Sequence, residues 1–262
     1  MKHYYFFLIL VSAMLIFESA APSLAAPADK LSQAEAMLQN PTFDFTEARK
    51  ALELYESLMP AVADRAFLLE RLAQVCFILG DLTEKKEQRR QFYEKGRTYA
   101  DRLLQAQPQG VQGHYWQALH LCGEADVNGP RAGLQLLPQI MEKLEKARTL
   151  DERYDYAGPH RVLGRIYFEA PAWPLSVGDM NKSLNHLTRA VQLAPQATTN
   201  HLYLAETLIR MGKYDQDRRE LDATQKAPLH PIHHGGLAED RDKARKLLGE
   251  LEGKKSGFSE RP

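Results

Sequence analysis

Cysteine is almost missing: the 262 residues hold two, Cys76 and Cys122. Nothing resembles Cys-x-x-Cys, so a thiol redox pair is not indicated. Each cysteine sits in an apolar stretch of helical spacing. Two unpaired core thiols are therefore expected, although spacing alone cannot show whether their Cα atoms come within bridging reach. An excess of either charge is missing too, with 34 basic against 34 acidic residues. A nucleic-acid or anionic-membrane binder usually carries a basic surplus, so this balance argues against both partners. β-Branched residues in period-two alternation are absent, which argues against a sheet. The phosphate-cradling Gly-x-x-x-x-Gly-Lys-Ser/Thr, the zinc-binding His-Glu-x-x-His and the nucleophile turn Gly-x-Ser-x-Gly are all lacking. No catalytic set, metal site or cofactor is indicated.

One long apolar run is present, Tyr4 through Phe17, after Lys2 and His3 and before Ser-Leu-Ala-Ala at residues 23–26. A basic start, an apolar centre and a small-residue exit make a secretory signal peptide over residues 1–26, cut after Ala25 or Ala26. The competing reading is an uncleaved anchor, which reaches spanning length only if Glu18 is tolerated. No later stretch is apolar enough to span a bilayer, so the mature chain is expected to be soluble.

Almost everything after residue 27 has helical periodicity, with Ala, Leu, Glu, Lys, Gln and Arg dominant. Helices are predicted at residues 28–38, 46–59, 66–79, 84–105, 113–122, 135–150, 201–211 and 214–225. Residues 123–138, rich in Gly and Pro, read as a loop or a short broken helix. The clearest stretch is residues 158–195, two helices around an insertion at 169–179. The first carries Leu163-Gly164-x-x-Tyr167 and the second Ser183-x-x-x-Leu187-x-x-Ala190, ended by Pro195. Pro60, Pro108 and Pro195 each fall twelve residues after a small residue: Ala48, Gly96 and Ser183. This order resembles the tetratricopeptide (TPR) repeat, in which small residues let helices approach and Tyr and Leu fill the gaps. The expected fold is all-α, an irregular TPR-like α-solenoid of stacked helix hairpins over residues 27–252. Residues 243–251 would cap it and residues 253–262 form a disordered tail.

The candidate binding residues lie around the insertion. Pro171, Trp173 and Pro174 stiffen a loop that carries an aromatic, and Gly178-Asp179 turn it into the next helix, with Asp179 or Asn181 as N-cap. His160 and Arg161 precede the first helix, and an Arg near a rigid aromatic is a grip for a carboxylate ligand. The bland alternative has Trp173 sealing the hairpin core and Arg161 paired with Glu169 or Asp179. His230, His233 and His234 are the best metal-like cluster, but no acidic or thiol ligand follows until Glu239, so a solvated loop is the better reading. The charged run at residues 84–90 reads as a solvated helix face.

On Gly158, Arg161, Gly164, Pro171, Gly178-Asp179 and the helix to Pro195, the chain resembles the T-component family of tripartite ATP-independent periplasmic (TRAP) transporters. That resemblance implies a perforated bundle of helix hairpins, non-catalytic and periplasmic, associating with a solute-binding subunit and in some members forming homo-oligomers. A small-molecule ligand would come with it. Many members are lipoproteins, and the lipid-bearing cysteine is missing here. The eukaryotic regulators of microtubule dynamics share a similar arrangement, and the secretory start favours the bacterial family. A general protein-interaction scaffold of the cell envelope is the alternative.

Overall fold

The computed structural model describes residues 25–40, 44–60, 65–226 and 234–259. The body of the proposed leader, the metal-like His230 and His233, and the side chain of His234 lie outside them. Over the described residues the chain forms eleven helices and no strand. These are α1 (Ala25–Leu38), α2 (Phe45–Leu58), α3 (Arg65–Asp81), α4 (Lys86–Ala106), α5 (Val111–Asn128), α6 (Pro130–Leu150), α7 (Tyr154–Glu169), α8 (Met180–Leu193), α9 (Thr198–Arg210), α10 (Tyr214–Lys226) and α11 (His234–Ser259). Helix α11 ends at Ser259, within the segment 253–262 expected as a tail.

Local signals explain the boundaries. Asp44 caps α2 by accepting from the Glu47 N–H at 2.9 Å, and Asn40 holds the Glu47 carboxylate at 2.8 Å. Behind that cap Ala48, Ala51, Leu52, Tyr55 and Leu58 are buried at three- and four-residue spacing, one apolar stripe on a soluble helix. Helix α5 differs, with buried residues on every face, among them Tyr115, Trp116, Ala118 and Leu121. It is the central pillar, touching α3, α4, α6 and α7.

Consecutive helices form antiparallel hairpins, α1/α2 through α9/α10, with α11 laid against the last pair. From α3 onward each odd helix also packs along the next odd one, whereas among the even helices α2 and α4 meet only through side chains, Glu56 accepting from Tyr99 and pairing with Lys95. The odd helices therefore line the inner wall of a curved array and the even ones its outer wall, the geometry of an α-solenoid.

Small residues set how close the helices come. A Cβ added at Gly164 would stand 2.6 Å from Leu187 Cγ, so the Leu-Gly-x-x-Tyr helix admits the second helix of its hairpin only because Gly is there. The Tyr93 ring fills the space that Cβ atoms would need at both Gly80 of α3 and Gly123 of α5. That contact corrects the loop expected at residues 123–138. Gly123 is a packing residue inside α5, and Pro130 opens α6, where no N–H donor is required. The break shrinks to Gly129, whose φ of +89° suits glycine. Cys76 and Cys122 are free, and burial pushes each thiol up to about 12. No helix of the described residues is long and apolar enough to cross a membrane.

Candidate functional site

The junction of α5, α7 and α9 is polar and buried. Before its regular turns begin, α7 passes through three consecutive left-handed residues, Asp155 (φ 48°), Tyr156 (φ 56°) and Ala157 (φ 62°). None is glycine, and such residues cost of order 1 kcal/mol or more each. Two side chains collect the carbonyls of this turn. Arg161, only 9% exposed, donates to the backbone oxygens of Asp155 at 3.0 Å and Tyr156 at 3.3 Å. Asn200 of α9 donates to Tyr156 O at 3.0 Å and to Ala190 O of α8 at 3.3 Å. The Arg161 guanidinium also meets the Asp155 carboxylate at 2.6 Å, and the Tyr115 hydroxyl donates to the same oxygen at 2.5 Å. Burial disfavours the guanidinium charge, and the facing Tyr115 and Asp155 outweigh that penalty, leaving Arg161 firmly protonated. Beside it, Trp116 Nε1 donates to the Tyr154 hydroxyl at 2.9 Å, which donates to Glu70 of α3 at 2.6 Å. These two neighbouring sets of bonds together tie the four odd helices α3, α5, α7 and α9.

This arrangement corrects the pairing expected for Arg161. Its carboxylate partner is Asp155, whereas Glu169 pairs with Arg165 at 2.5 Å and Asp179 caps α8 through the N–H groups of Asn181 at 2.9 Å and Lys182 at 3.1 Å. Nor do Arg161 and Trp173 form one grip. They stand at opposite ends of α7, which over these turns is roughly 12–15 Å long at 1.5 Å per residue. Arg161 faces inward and Trp173 is 85% exposed, so the indole does not seal the hairpin core.

His160 is buried on the first turns of α7, its Nδ1 3.0 Å from Nδ1 of His186 on α8. Its Nε2 faces Glu152 at 3.2 Å, a carboxylate that Arg189 also holds at 2.5 Å. Burial pushes both imidazoles down, His186 to about 4. Arg189 first, and His160 with it, draw Glu152 down to about 2. Both rings are therefore neutral and the carboxylate charged near pH 7.

The insertion between α7 and α8 is a tied loop. Leu175 N–H donates to Ala172 O at 3.1 Å, Gly178 N–H to Pro171 O at 2.9 Å and Asp179 N–H to Tyr167 O at 2.9 Å. A Cβ at Gly178 would strike the Ala170 carbonyl, so the chain closes there only with glycine. Val177 turns inward onto the main core, while Trp173 and Leu175, 79% exposed, point out on either side of Pro174. Along the inner wall nearby, charges alternate from helix to helix. Arg165 lies between Glu169 and Glu206, each at 2.5 Å, and Lys243 of α11 reaches Glu206 at 2.6 Å. The Arg165 guanidinium covers the Tyr203 ring, 4.6 Å from its centroid. Among the described residues no three His, Cys, Asp or Glu side chains converge as a metal set.

The sequence profile of the regulator of microtubule dynamics protein 1-3 family matches residues 30–174, more than half of the chain. The chain belongs to that family. Regulator of microtubule dynamics protein 3 of Rattus norvegicus is 24% identical over 205 residues, which are 72% of this chain and 43% of the rat protein. The chain thus spans less than half the length of that relative. A thermophilic TPR protein of Thermus thermophilus superposes with a TM-score of 0.61 at 19% identity, over 85% of this chain and 99% of that one. That likeness shows the TPR-like fold alone.

The family match overturns the transporter assignment, and the periplasmic location and solute-binding partner attached to it fall with it. The reason is physical. Leu163-Gly164-x-x-Tyr167, Ser183, Leu187 and Pro195 report how two helices pack, and any TPR-like array needs such packing whatever it binds. They could not choose between two families that both build it. The sequence reading missed Tyr115, Asp155, Asn200 and His186 as members of buried polar groups. Their separations along the chain carry no periodic signal.

Proposed function

We propose that the chain is a non-catalytic protein-interaction scaffold, residues 27–252 forming one repeat domain, and that it acts in the regulation of microtubule dynamics by docking tubulin or a tubulin-bound protein. The observation that carries this reading is the Trp173–Leu175 loop. Two large apolar side chains are held in solvent by a hydrogen-bonded frame that Asp179 anchors to α8. Exposed apolar groups on a pre-organised loop mark contact sites, because the cost of ordering them is already met. Aromatic anchors of this kind carry much of the energy at protein interfaces. Pro171 and Pro174 limit the loop further. The charge ladder of Glu169, Arg165, Glu206 and Lys243 beside it offers polar partners to a segment laid along the inner wall. In this reading Arg161 and His160 support the wall from behind and do not touch the partner. The family and the rat relative's description support the microtubule setting.

Co-sedimentation with taxol-stabilised microtubules tests both halves of the reading. The wild-type chain is expected in the pellet, and Trp173→Ala/Leu175→Ala is expected to weaken binding at least tenfold, as loss of about 1.4 kcal/mol or more at an anchor would give. A wild-type chain that stays in the supernatant both with purified microtubules and with microtubules carrying their cell-extract proteins removes the microtubule setting. Equal pelleting of both proteins removes the loop as the contact.

A further inference from the structure

We propose that His160 and His186 form a two-imidazole site for a divalent transition-metal ion of tetragonal preference, Cu(II) foremost, with Glu152 as the positioning residue for His160. The inference is independent of the partner that the scaffold holds. Its basis is the facing pair of Nδ1 atoms, 3.0 Å apart. Two imidazole nitrogens bound to one ion at about 2.0–2.1 Å stand about 3.0 Å apart when they subtend a right angle, and about 3.4 Å apart at a tetrahedral angle. The observed spacing is that of adjacent corners of a square. Imidazole suits Cu, Ni and Zn, square-planar or tetragonal nitrogen sites favour Cu(II) and Ni(II), and Cu(II) binds most tightly along the series.

The groups behind the pair fit the same purpose. Glu152 Oε2 lies 3.2 Å from His160 Nε2, and Arg189 fixes the carboxylate by donating to Oε1 at 2.5 Å and to Oε2 at 3.2 Å. A charged carboxylate there accepts the Nε2 proton, which leaves a lone pair on Nδ1, turned toward His186. This carboxylate–imidazole order recurs behind metal-bound histidines and fixes their tautomer. His186 in turn stacks on the Tyr167 ring, centroids 5.5 Å apart at 23°, which holds its plane. In the metal-free chain the His186 Nδ1–H donates to His160. On binding, that proton moves to His186 Nε2, both Nδ1 lone pairs face the ion, and no net proton is released. His186 is half-buried, so solvent can supply the remaining ligands. His160 when protonated, Arg148 and Lys182 bear on His186 with positive charge and Glu145 opposes them, while Glu152 faces His160.

The test is Cu(II) chloride titration of the full, chelator-treated chain, followed by electron paramagnetic resonance. Alongside it run His186→Gln, Glu152→Gln and a His230→Gln/His233→Gln/His234→Gln variant, the last removing the competing cluster. One equivalent with hyperfine structure from two nitrogens is expected in wild type and in the triple variant. In His186→Gln it should vanish while helical circular dichroism is kept. Glu152→Gln should hold the ion about 10- to 100-fold more weakly. A His186→Gln protein that binds like wild type, or loss of all binding in the triple variant, overturns the site. Should His186→Gln lose its helicity, Glu152→Gln decides, and unchanged affinity there overturns it equally.

Discussion

The inner wall is joined in two different ways along its length. Between α3 and α5, with α4 behind them, rings and glycines make the contact. Tyr93 lies against Gly80 and Gly123, Phe77 packs on Tyr93 at 5.8 Å and on Trp116 at 6.2 Å between centroids, and leucines fill the remainder. Between α5, α7 and α9 the contact is a buried guanidinium, a carboxylate, a phenol and an amide gathered round a left-handed turn. Apolar packing tolerates exchange provided volume is kept. A buried ionic network does not, since each member is tolerable only while its partners are present. The second junction therefore adds little net stability. It admits one relative placement of the early and late hairpins, because only that placement satisfies every polar group.

The largest effect is expected where that network is opened from one side. Asp155→Ala leaves Arg161 charged and buried without its carboxylate and should cost about 3–5 kcal/mol, read as a shift in the urea midpoint. The double change Asp155→Asn/Arg161→Met removes both charges and should recover a good part of that loss. Equal losses in the single and double variants would mean that the junction rests on shape and not on charge. Next comes the apolar junction. Gly123→Ala sets a Cβ 2.6 Å from the Tyr93 ring and should cost about 1–3 kcal/mol through overpacking. In a Tyr93→Leu background the same methyl should cost almost nothing more, which a double-mutant cycle measures.

Packing inside a single hairpin was legible in the sequence, and neither junction of the inner wall was. Small residues at fixed offsets from prolines, together with Leu163, Gly164, Tyr167 and Leu187, encode packing within one hairpin, where contacts are local and periodic. The same logic failed at Gly123 and Pro130, because a glycine placed for a neighbour's ring and a proline placed at a helix start look alike in one dimension. Asp155, Tyr115 and Asn200 come from three hairpins, and each taken alone suits an exposed turn or a cap. The left-handed turn itself is made by Asp, Tyr and Ala, which announce no such conformation. Trp173 stood out because prolines flank it. Its exposure follows from Val177 taking the inward position, which spacing does not reveal.

A third ionic contact, farther along the wall, ties α9 to α10 with a group that titrates. His201 Nδ1 faces Glu220 at 2.6 Å and Nε2 faces the Pro195 carbonyl at 2.8 Å. Burial opposes its charge. Both facing atoms are acceptors, though, so only the protonated ring satisfies the two at once, and the pKa is raised above 6.5. Its contribution to stability is then complete below the unfolded value and is lost as pH climbs through the higher folded one. His201→Gln should narrow the stability of the chain by about 1 kcal/mol in mild acid, and the gap from wild type should close as pH rises through the raised folded pKa. A gap that widened with rising pH would mean that the ring is held neutral.

The smallest effect on stability is expected at the second of the two tryptophans. Trp116 is 3% exposed, gives its N–H to Tyr154 and packs on Phe77, so it belongs to both junctions at once. Trp173 belongs to neither. The hydrogen bonds that shape its loop all come from backbone groups of its neighbours, and none needs the indole. Trp173→Ala should therefore move the melting free energy by no more than about 0.5 kcal/mol while reducing microtubule binding. The two readouts separate the possible roles of this ring. A loss of stability above about 1 kcal/mol would show that the indole closes a part of the core, and a conformational account would then replace contact. Unchanged folding with weakened binding leaves contact as the only role, since a side chain that holds nothing in its own molecule can act only on another.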